Sequence, residues 1–370
     1  MRRQSETVLT LTVIGIAATL GCRHDATSPH PAVPPHGIVV LNGYGQPGLT
    51  LLADTGAAST YVRFGSDFDG ASLTLQHDSV IATSSKAGGD LLYVADLETG
   101  AVRKLQMPAA SNPAGAQFVE SGPARFAVAL RDSSAIALVA PSGSLSLLHD
   151  AGACPTDVFQ YGGALWSVDA NANCRGDYAS LGPTRLIRIP VVGTERDTIV
   201  ISGSAGTSSA AVVDGDFAYV ASTGIAQFGS TTVASSPGSV AKVDLITRQV
   251  VRQLSLPAGS WGATLERGQD GRLYVTAYDP VATFSGHVFT VDPATLTFAG
   301  IHPSGHSYRA LRTASGGEPN CAAATGDSAG QIYCIEVGAG SATTLFTFDA
   351  TGAEIRRTLA GQGGVAVALR

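Results

Sequence analysis

Short apolar runs separated by turn-forming residues dominate the chain from Gly37 onward. The runs alternate in polarity or are rich in β-branched residues, and each ends in a cluster of Gly, Asn, Asp, Ser or Pro. Such runs are typical of β-strands joined by tight turns. After residue 36 no stretch sustains the 3.6-residue apolar period of an amphipathic helix. The pattern therefore predicts an all-β fold.

One strand–turn unit recurs, with an aspartate at the end of a strand and a threonine three residues later. Its three copies place the aspartate at Asp96, Asp244 and Asp292, and Asp349 begins a shorter version. Such an aspartate favours a hairpin turn, because its side chain can accept hydrogen bonds from the following backbone. Asp244 and Asp292 are 48 residues apart, and Asp96 and Asp244 are 148 apart, or three steps of about 49. A four-stranded unit of about 40–50 residues is typical of a β-propeller blade.

The strand pattern divides most of the chain into six full units: 71–108, 113–150, 153–204, 205–258, 260–303 and 306–360. Three strands in 37–65 and one apolar strand in 365–369 are left over. Three plus one make a seventh blade, whose C-terminal strand pairs with the N-terminal ones and removes the open edge. We predict a seven-bladed propeller of four-stranded antiparallel blades over residues 37–370, with six or eight blades as alternatives.

Three strands share a Tyr-Val or related string: residues 92–94 (LYV), 218–222 (AYVAS) and 273–276 (LYVT). With the Asp-x-x-Thr turns, residues 71–360 resemble the bacterial YVTN-type β-propeller repeats of surface and envelope proteins. The resemblance implies a seven-bladed propeller outside the cytoplasm. It implies no single activity, because propellers carry many different functions.

The N-terminus has the organisation of an export signal. Two arginines precede an apolar run of 14 residues, 7–20, which is too short to span a bilayer comfortably. Gly21-Cys22 follows the run, and this junction resembles a bacterial lipobox. We expect residues 1–21 to be a lipoprotein signal peptide and Cys22 to be the lipidated anchor to the membrane. Ordinary secretory cleavage nearby and an uncleaved anchor are the alternatives.

Residues 22–36 contain four prolines and predict an extended tether. Arg23 follows the lipobox cysteine, where aspartate would favour retention in the inner membrane. The expected location is therefore the cell envelope, at the outer membrane or cell surface.

The composition narrows the class of partner. Charged residues make up 14% of the chain, the net charge is −6 and the pI is about 5.7, so no basic surface is available for nucleic acid. The chain has 44 glycines and 18 prolines, which suits many tight turns. We expect a monomer.

Four cysteines besides Cys22 lie in the predicted propeller. In an exported domain they predict disulfides, and the blade map favours Cys154–Cys174 and Cys321–Cys334, because each pair falls within one unit. A zinc site is the alternative, but the cysteines lack its usual close paired spacing.

One polar segment has the spacing of a calcium loop. Asp169, Asn171 and Asn173 place oxygen ligands at positions 1, 3 and 5, and Asp177 follows. Position 6 is Cys174 instead of glycine, and position 12 is not glutamate. We therefore expect a solvated loop held by the disulfide and no cofactor, with calcium as the alternative.

Long loops join the second and third strands of three consecutive predicted blades, at 169–184, 223–239 and 279–286. Such loops emerge on one face of a propeller, so these three predict one contiguous recognition patch. Its aromatic members are Tyr178, Phe228, Tyr278 and Phe284.

Two short motifs match catalytic signatures. Asp54-Thr55-Gly56 resembles the signature of retroviral-type aspartic proteases, which needs two such aspartates, and the chain has one. Residues 326–330 (GDSAG) fit a nucleophile elbow, which needs a strand-to-helix turn that is not predicted here. We interpret both motifs as hairpin turns.

We predict a non-enzymatic envelope lipoprotein whose propeller binds a protein, a glycan or a small ligand. The alternative is a propeller hydrolase or lactonase with a metal in the central channel. Such a site needs three or four acidic, Asn or His side chains at the starts of inner strands. The sequence offers four candidates that do not recur in register: Glu120, Asp157, Asp214 and Glu266.

Overall fold

A computed structural model describes residues 37–370 except 44, 54–58, 85–89, 121–124, 191–195, 228–232, 258–259, 279–285, 302–309 and 338–341. The predicted signal peptide, the tether, Cys22, Phe228, Phe284 and the Asp54-Thr55-Gly56 motif lie outside these residues. None of the helical segments within them is long and apolar enough to cross a membrane.

The described residues form seven four-stranded antiparallel sheets, each a blade of a propeller. Blade 1 contains β1 (Gly37–Asn42), β2 (Gly48–Ala53), β3 (Ser59–Arg63) and the C-terminal β30 (Gly364–Leu369). Blade 2 contains β4 (Gly70–Gln76), β5 (Ser79–Ser84), β6 (Leu91–Asp96) and β7 (Val102–Gln106). Blade 3 contains β8 (Pro113–Phe118), β9 (Phe126–Leu130), β10 (Ala135–Val139) and β11 (Leu145–His149), with a 3-10 turn at Arg131–Ser133.

The remaining blades follow in chain order. Blade 4 contains β12 (Pro155–Tyr161), β13 (Ala164–Asp169), β14 (Arg185–Ile189) and β15 (Asp197–Val200). Blade 5 contains β16 (Ser209–Asp214), β17 (Phe217–Ser222), β20 (Ser239–Asp244) and β21 (Gln249–Ser255), with a separate hairpin of β18 (Ile225–Gln227) and β19 (Val233–Ser236). Blade 6 contains β22 (Trp261–Arg267), β23 (Leu273–Tyr278), β24 (Gly286–Asp292) and β25 (Thr297–Phe298). Blade 7 contains β26 (Cys321–Gly326), β27 (Ile332–Val337), β28 (Ala342–Phe348) and β29 (Glu354–Gln362).

The ring closes through the C-terminal strand, as the three-plus-one arrangement predicted. β30 is the innermost strand of blade 1 and pairs antiparallel with β1, with Val40 opposite Val367. Each innermost strand also contacts that of the next blade, from β30 through β4, β8, β12, β16, β22 and β26 back to β30. The predicted seven-bladed fold is therefore confirmed.

The hydrophobic core lies between neighbouring blades. Middle strands such as β9 and β13 are buried along their whole length, because each is covered on both faces by adjacent blades. Outer strands such as β7 alternate between exposed and half-buried residues, since they form the rim. This is why the apolar runs and the alternating runs recur in a fixed order along the chain.

The repeated aspartates form the predicted turns. In the three full copies, the aspartate Oδ1 accepts hydrogen bonds from the backbone N–H groups two and three residues later, at 2.7–3.3 Å. Asp349 does the same with Thr351 N–H at 2.8 Å. The pKa of Asp96 lies below its ordinary value mainly because its carboxylate accepts a hydrogen bond from Thr99 N–H. The hydrogen bond from Thr247 N–H lowers the pKa of Asp244 in the same way.

Both predicted disulfides are present. Cys154 bonds Cys174, and Cys321 bonds Cys334. Disulfides of this kind persist in oxidising compartments, which indicates an extracellular or periplasmic protein. The GDSAG motif is a turn between β26 and β27, in which the Asp327 carboxylate accepts hydrogen bonds from the N–H groups of Ala329 and Gln331.

Candidate functional site

The seven innermost strands line a central channel with a volume of about 740 Å³. One edge of each of these strands faces the channel and has no neighbouring strand to pair its backbone groups. Side chains of one blade cap backbone carbonyls of the next: Ser72 Oγ donates to Ala114 O at 2.8 Å, and Thr156 Oγ1 donates to Ser209 O at 2.7 Å. Polar residues along the inner strands thus satisfy the backbone of the adjoining blade.

Asp157 projects from β12 into this channel. Its Oδ2 accepts a hydrogen bond from Ala211 N–H of blade 5 at 2.9 Å, and its Oδ1 accepts one from Val158 N–H at 2.8 Å. Withdrawal from bulk water raises the pKa of Asp157 to about 6, and the two hydrogen bonds oppose this rise. The carboxyl group is therefore close to half-protonated in mildly acidic solution.

Glu266 is the second channel carboxylate, on β22 of blade 6. It makes no hydrogen bond to the residues that the structure describes. Burial raises the pKa of Glu266 to about 8, and the negative charge of Asp157 adds to the rise. The channel therefore contains two interacting carboxyl groups whose pKa values bracket neutrality.

The other two candidate acids do not join this pair. Asp214 forms an ion pair with Arg267 at 2.6 Å, and Glu120 is exposed and is not part of the channel lining. Within the described part of the chain, no three His, Cys, Asp or Glu residues come close enough together to hold a metal ion. Among the described lining residues, the acids are Asp157 and Glu266, and the metal-hydrolase alternative needs three or four ligands.

Sequence reasoning missed the pairing of Asp157 with Glu266. The first is the third residue of its strand and the second is the sixth of its own, so they do not align in the repeat. Only the ring brings both into one channel. Alignment of the repeats could not have shown that these two of the four candidate acids interact.

The predicted polar loop 169–184 connects β13 with β14 and is held by its own side chains. Asp169 is fully buried, and its Oδ1 accepts hydrogen bonds from the N–H groups of Cys154 and Asn171 at 2.8 and 3.0 Å. Its Oδ2 accepts from Nε and Nη2 of Arg185, at 2.8 and 2.5 Å. Together with the disulfide, this ion pair between buried Asp169 and half-buried Arg185 clamps both ends of the loop to blade 4.

The other polar residues of the loop also bond within it. Asn171 Nδ2 donates to Pro183 O at 3.1 Å, and Asn173 Nδ2 donates to Asp177 Oδ1 at 3.0 Å. Hydrogen bonds from Ala179 N–H and Asn173, with the backbone contribution largest, hold the pKa of Asp177 below its ordinary value. The four residues with calcium-loop spacing therefore shape the loop in this structure.

The clamped loop reaches across to blade 3. The guanidinium carbon of Arg131 lies 5.6 Å from the centroid of the Tyr178 ring, and Arg175 Nε donates a hydrogen bond to Asp132 O. Arg131 lines the channel, whereas Tyr178 is 42% exposed with a left-handed backbone φ of 58°. The loop therefore presents an aromatic wall beside the channel mouth.

The structure describes only part of the predicted recognition patch. The second long loop begins after β17 and contains the β18–β19 hairpin, whereas 279–285 lies outside the described residues. Tyr278 is half-buried at the end of β23, and burial raises its pKa. Of the four predicted aromatic residues, Tyr178 contacts Arg131 of the channel lining. Asn112 and Arg131, which line the same mouth, belong to short turns that carry no distinctive sequence motif.

No family model matches the chain, and no curated protein matches it. Solved structures do resemble it. A crystal structure of a protein from Lactobacillus plantarum superposes with a TM-score of 0.60 and 16% identity, over 90% of this chain and 99% of that one. A protein from Bacteroides fragilis, provisionally described as a 6-phosphogluconolactonase, gives 0.58 and 14%, over 92% and 100%. Hydrazine synthase from Kuenenia stuttgartiensis gives 0.54 and 15%, over 74% and 75%. At these identities the similarity shows the propeller fold alone.

Proposed function

We propose that this protein is a lipid-anchored propeller of the cell envelope that binds a small ligand or glycan at the mouth of its central channel. The contact between Tyr178 and Arg131 is the observation that carries this proposal. It joins the clamped loop of blade 4 to the lining of a channel whose volume lies in the usual range for ligand sites, about 300–1,000 Å³. A site on a rigid scaffold loses little conformational entropy on binding.

The lipid anchor is supported by the apolar run 7–20 followed by Cys22 and by the two disulfides of an exported domain. The full chain, expressed in a bacterial host fed an alkyne fatty acid, should become labelled and fractionate with the outer membrane. Cys22→Ala should abolish labelling. Equal labelling of both chains would contradict the anchor.

Binding can be tested by thermal-shift screening of small metabolites and soluble oligosaccharides. A ligand of the folded state raises the melting temperature, and we expect at least one hit with the wild-type protein. Tyr178→Ala should remove the shift. Leu181→Ala is the matched control, because Leu181 is exposed on the same loop and should leave the shift unchanged.

Failure of the whole screen, or an unaltered shift in Tyr178→Ala, would contradict binding at the mouth. Capture of a protein partner in a manner independent of Tyr178 would also contradict it.

Hydrolysis of a lactone or ester is a second candidate function, favoured by the channel carboxylates. Near pH 7 the Asp157 carboxylate would be largely ionised and could accept a proton from water, while the protonated Glu266 could donate one to the leaving oxygen. Water adds across the C–O bond of the lactone and a hydroxy acid results. This scheme uses no metal.

The test is hydrolysis of glucono-δ-lactone above the spontaneous rate, followed from pH 5 to 9. A bell-shaped profile bounded near the two pKa values, lost in both Asp157→Asn and Glu266→Gln, would support hydrolysis. Tyr161→Phe, at the far end of β12, is the control. A rate equal to background would refute this function for that substrate class.

A further inference from the structure

The carboxyl group of Glu266 has no hydrogen-bond or ion-pair partner among the residues that the structure describes. It lies deep in the molecule, and the charged group that acts on it is the carboxyl of Asp157, which repels it. Both residues are half-buried and line the channel, so a molecule inside the channel can reach them. A carboxylate withdrawn from water is costly unless a cation pairs with it. These two residues, the channel acids, therefore lack the partner that their charge needs.

The two basic residues of the described lining do not supply that partner, because each has an acid of its own. Arg267 forms an ion pair with Asp214 at 2.6 Å, and Arg131 Nε lies 3.9 Å from Asp132 Oδ1. Both guanidinium groups are thus balanced where they lie. The charge that remains unbalanced in the described lining belongs to the channel acids and is negative.

The opposite side of the channel is apolar. The channel acids come from blades 4 and 6, and blades 1 and 2 lie across the seven-bladed ring from them. The hydroxyl groups of Ser72 and Thr74 on blade 2 already donate to backbone carbonyls of blade 3, at 2.8 and 2.6 Å. The other larger lining residues of these two blades are apolar and form what we call the apolar wall: Leu73, Leu75, Val365, Ala366, Ala368 and Leu369.

We propose that the channel binds an organic amine, whose ammonium group pairs with Glu266 beside Asp157 and whose hydrocarbon part lies against the apolar wall. An ammonium group carries one positive charge and several N–H donors, so it can serve carboxylates without a full set of metal ligands. Burial of the hydrocarbon part against the wall adds hydrophobic stabilisation. This site lies inside the channel and does not depend on Tyr178 at the mouth.

The probes are simple amines and matched compounds that lack one of their two features. The full chain is titrated with n-hexylamine and benzylamine at pH 8 by calorimetry. Hexanol and hexanoate keep the six-carbon chain without the positive charge, and ethylamine keeps the charge with little hydrocarbon. We expect at least one of the two larger amines to bind, and hexanol, hexanoate and ethylamine each to bind more weakly than hexylamine by about tenfold or more.

Three results with these probes would overturn the inference. Absence of binding by both larger amines would do so directly. Equally tight binding of hexanol would show that the channel acids play no part, and equally tight binding of ethylamine would show that the apolar wall plays none. Calcium, magnesium or zinc chloride that displaces the bound amine would identify a metal site in its place.

Glu266→Gln locates the ammonium group. Because Glu266 makes no hydrogen bond, this substitution breaks no structural contact, and it should raise the Kd of the amine about tenfold or more. Glu98→Gln, on an exposed turn outside the channel, is the matched control and should leave the Kd unchanged. An unchanged Kd in Glu266→Gln would overturn the location.

The affinity should also depend on pH. Burial and the Asp157 charge raise the pKa of Glu266 to about 8, so the amine must displace a proton from Glu266 at lower pH. The Kd should therefore fall by about tenfold or more as pH rises from 6 to 8. The charged groups that line the channel with Glu266 are Asp157, Arg131 and Arg267. A Kd that does not change over this range would contradict pairing with Glu266.

Tyr178→Ala separates this inference from the proposed function. The amine should bind this variant as it binds wild type. If amine binding is lost in Tyr178→Ala but kept in Glu266→Gln, the amine binds at the mouth, and this inference falls while the proposed function stands. If amine binding depends on Glu266 and no ligand gives a Tyr178-dependent thermal shift, the proposed function falls alone.

Discussion

The Asp157 carboxylate of blade 4 accepts a hydrogen bond from the Ala211 N–H of blade 5 at 2.9 Å and so joins two blades across the channel wall. On its other side it lies against Gly115 of blade 3, where an added Cβ would come within 2.1 Å of Asp157 Oδ1. Three blades therefore meet around one side chain. Asp157 therefore also limits the size of the side chain that fits at Gly115.

Gly115→Ala should destabilise the protein. The new methyl group would lie 2.7 Å from the backbone Cα of Asp157 as well as against its carboxylate, so blades 3 and 4 must shift. Overpacking of this kind costs about 1–3 kcal/mol, measurable by urea denaturation. Gly317→Ala is the control, because its nearest neighbour is Thr313 Oγ1 at 3.7 Å. Equal stability of the two variants would show that Gly115 is not constrained.

Glu266→Gln should change how stability depends on pH. The folded-state pKa of about 8 exceeds the ordinary value of 4.5, so the folded chain binds more protons than the unfolded chain between these pH values. Through Glu266, the free energy of unfolding then falls as pH rises, by up to about 1.4 kcal/mol per pH unit. Removing the acid should give a stability gain over wild type that grows from pH 5 to 8 and is constant above.

Urea denaturation of both proteins from pH 5 to 9 checks this difference, with Glu98→Gln on an exposed turn as the control. Parallel curves for wild type and Glu266→Gln would mean that the glutamate titrates as it does in water.

Loss of each disulfide should have a different effect on hydrogen exchange in loop 170–184. In the chain-entropy model, either double Cys→Ala variant loses about 3 kcal/mol. The pair Cys154–Cys174 closes the base of loop 170–184, whereas Cys321–Cys334 links β26 with β27. Hydrogen exchange in 170–184 should therefore accelerate in the first variant and stay unchanged in the second. Unchanged exchange in both would mean that the Asp169–Arg185 ion pair suffices to hold the loop.

Deletion of 364–370 should prevent folding. These residues include β30, the innermost strand of blade 1, and without it β1 keeps β2 but loses its inner partner, so the ring has an open edge. Circular dichroism and gel filtration should show an unfolded or aggregated chain. Deletion of Arg370 alone removes its ion pair with Asp78 and the hydrogen bond from its N–H to Gly37 O, but it keeps β30 and should leave the fold intact. A compact, cooperative monomer without β30 would contradict the closure role.

The blade boundaries were predictable because each depends on local chemistry. The aspartate turns at Asp96, Asp244 and Asp292 are made by hydrogen bonds within four residues, and the two disulfides lie within single blades. The candidate site was not predictable in this way. Arg131 and Tyr178 belong to different blades, and their contact depends on the conformation of the blade 4 loop, which extends toward blade 3.

The sequence by itself determined the class of fold and favoured seven blades closed by the C-terminal strand over six or eight, because strand period, turn chemistry and cysteine spacing act over a few residues. Only the tertiary structure decided which polar groups meet in the channel. Asp157 of blade 4 and Glu266 of blade 6 interact although they do not align in the repeat, because the inner strands of both blades line one channel. Closure of that ring depends on packing between blades, which involves residues far apart in the chain and leaves no periodic pattern in the sequence.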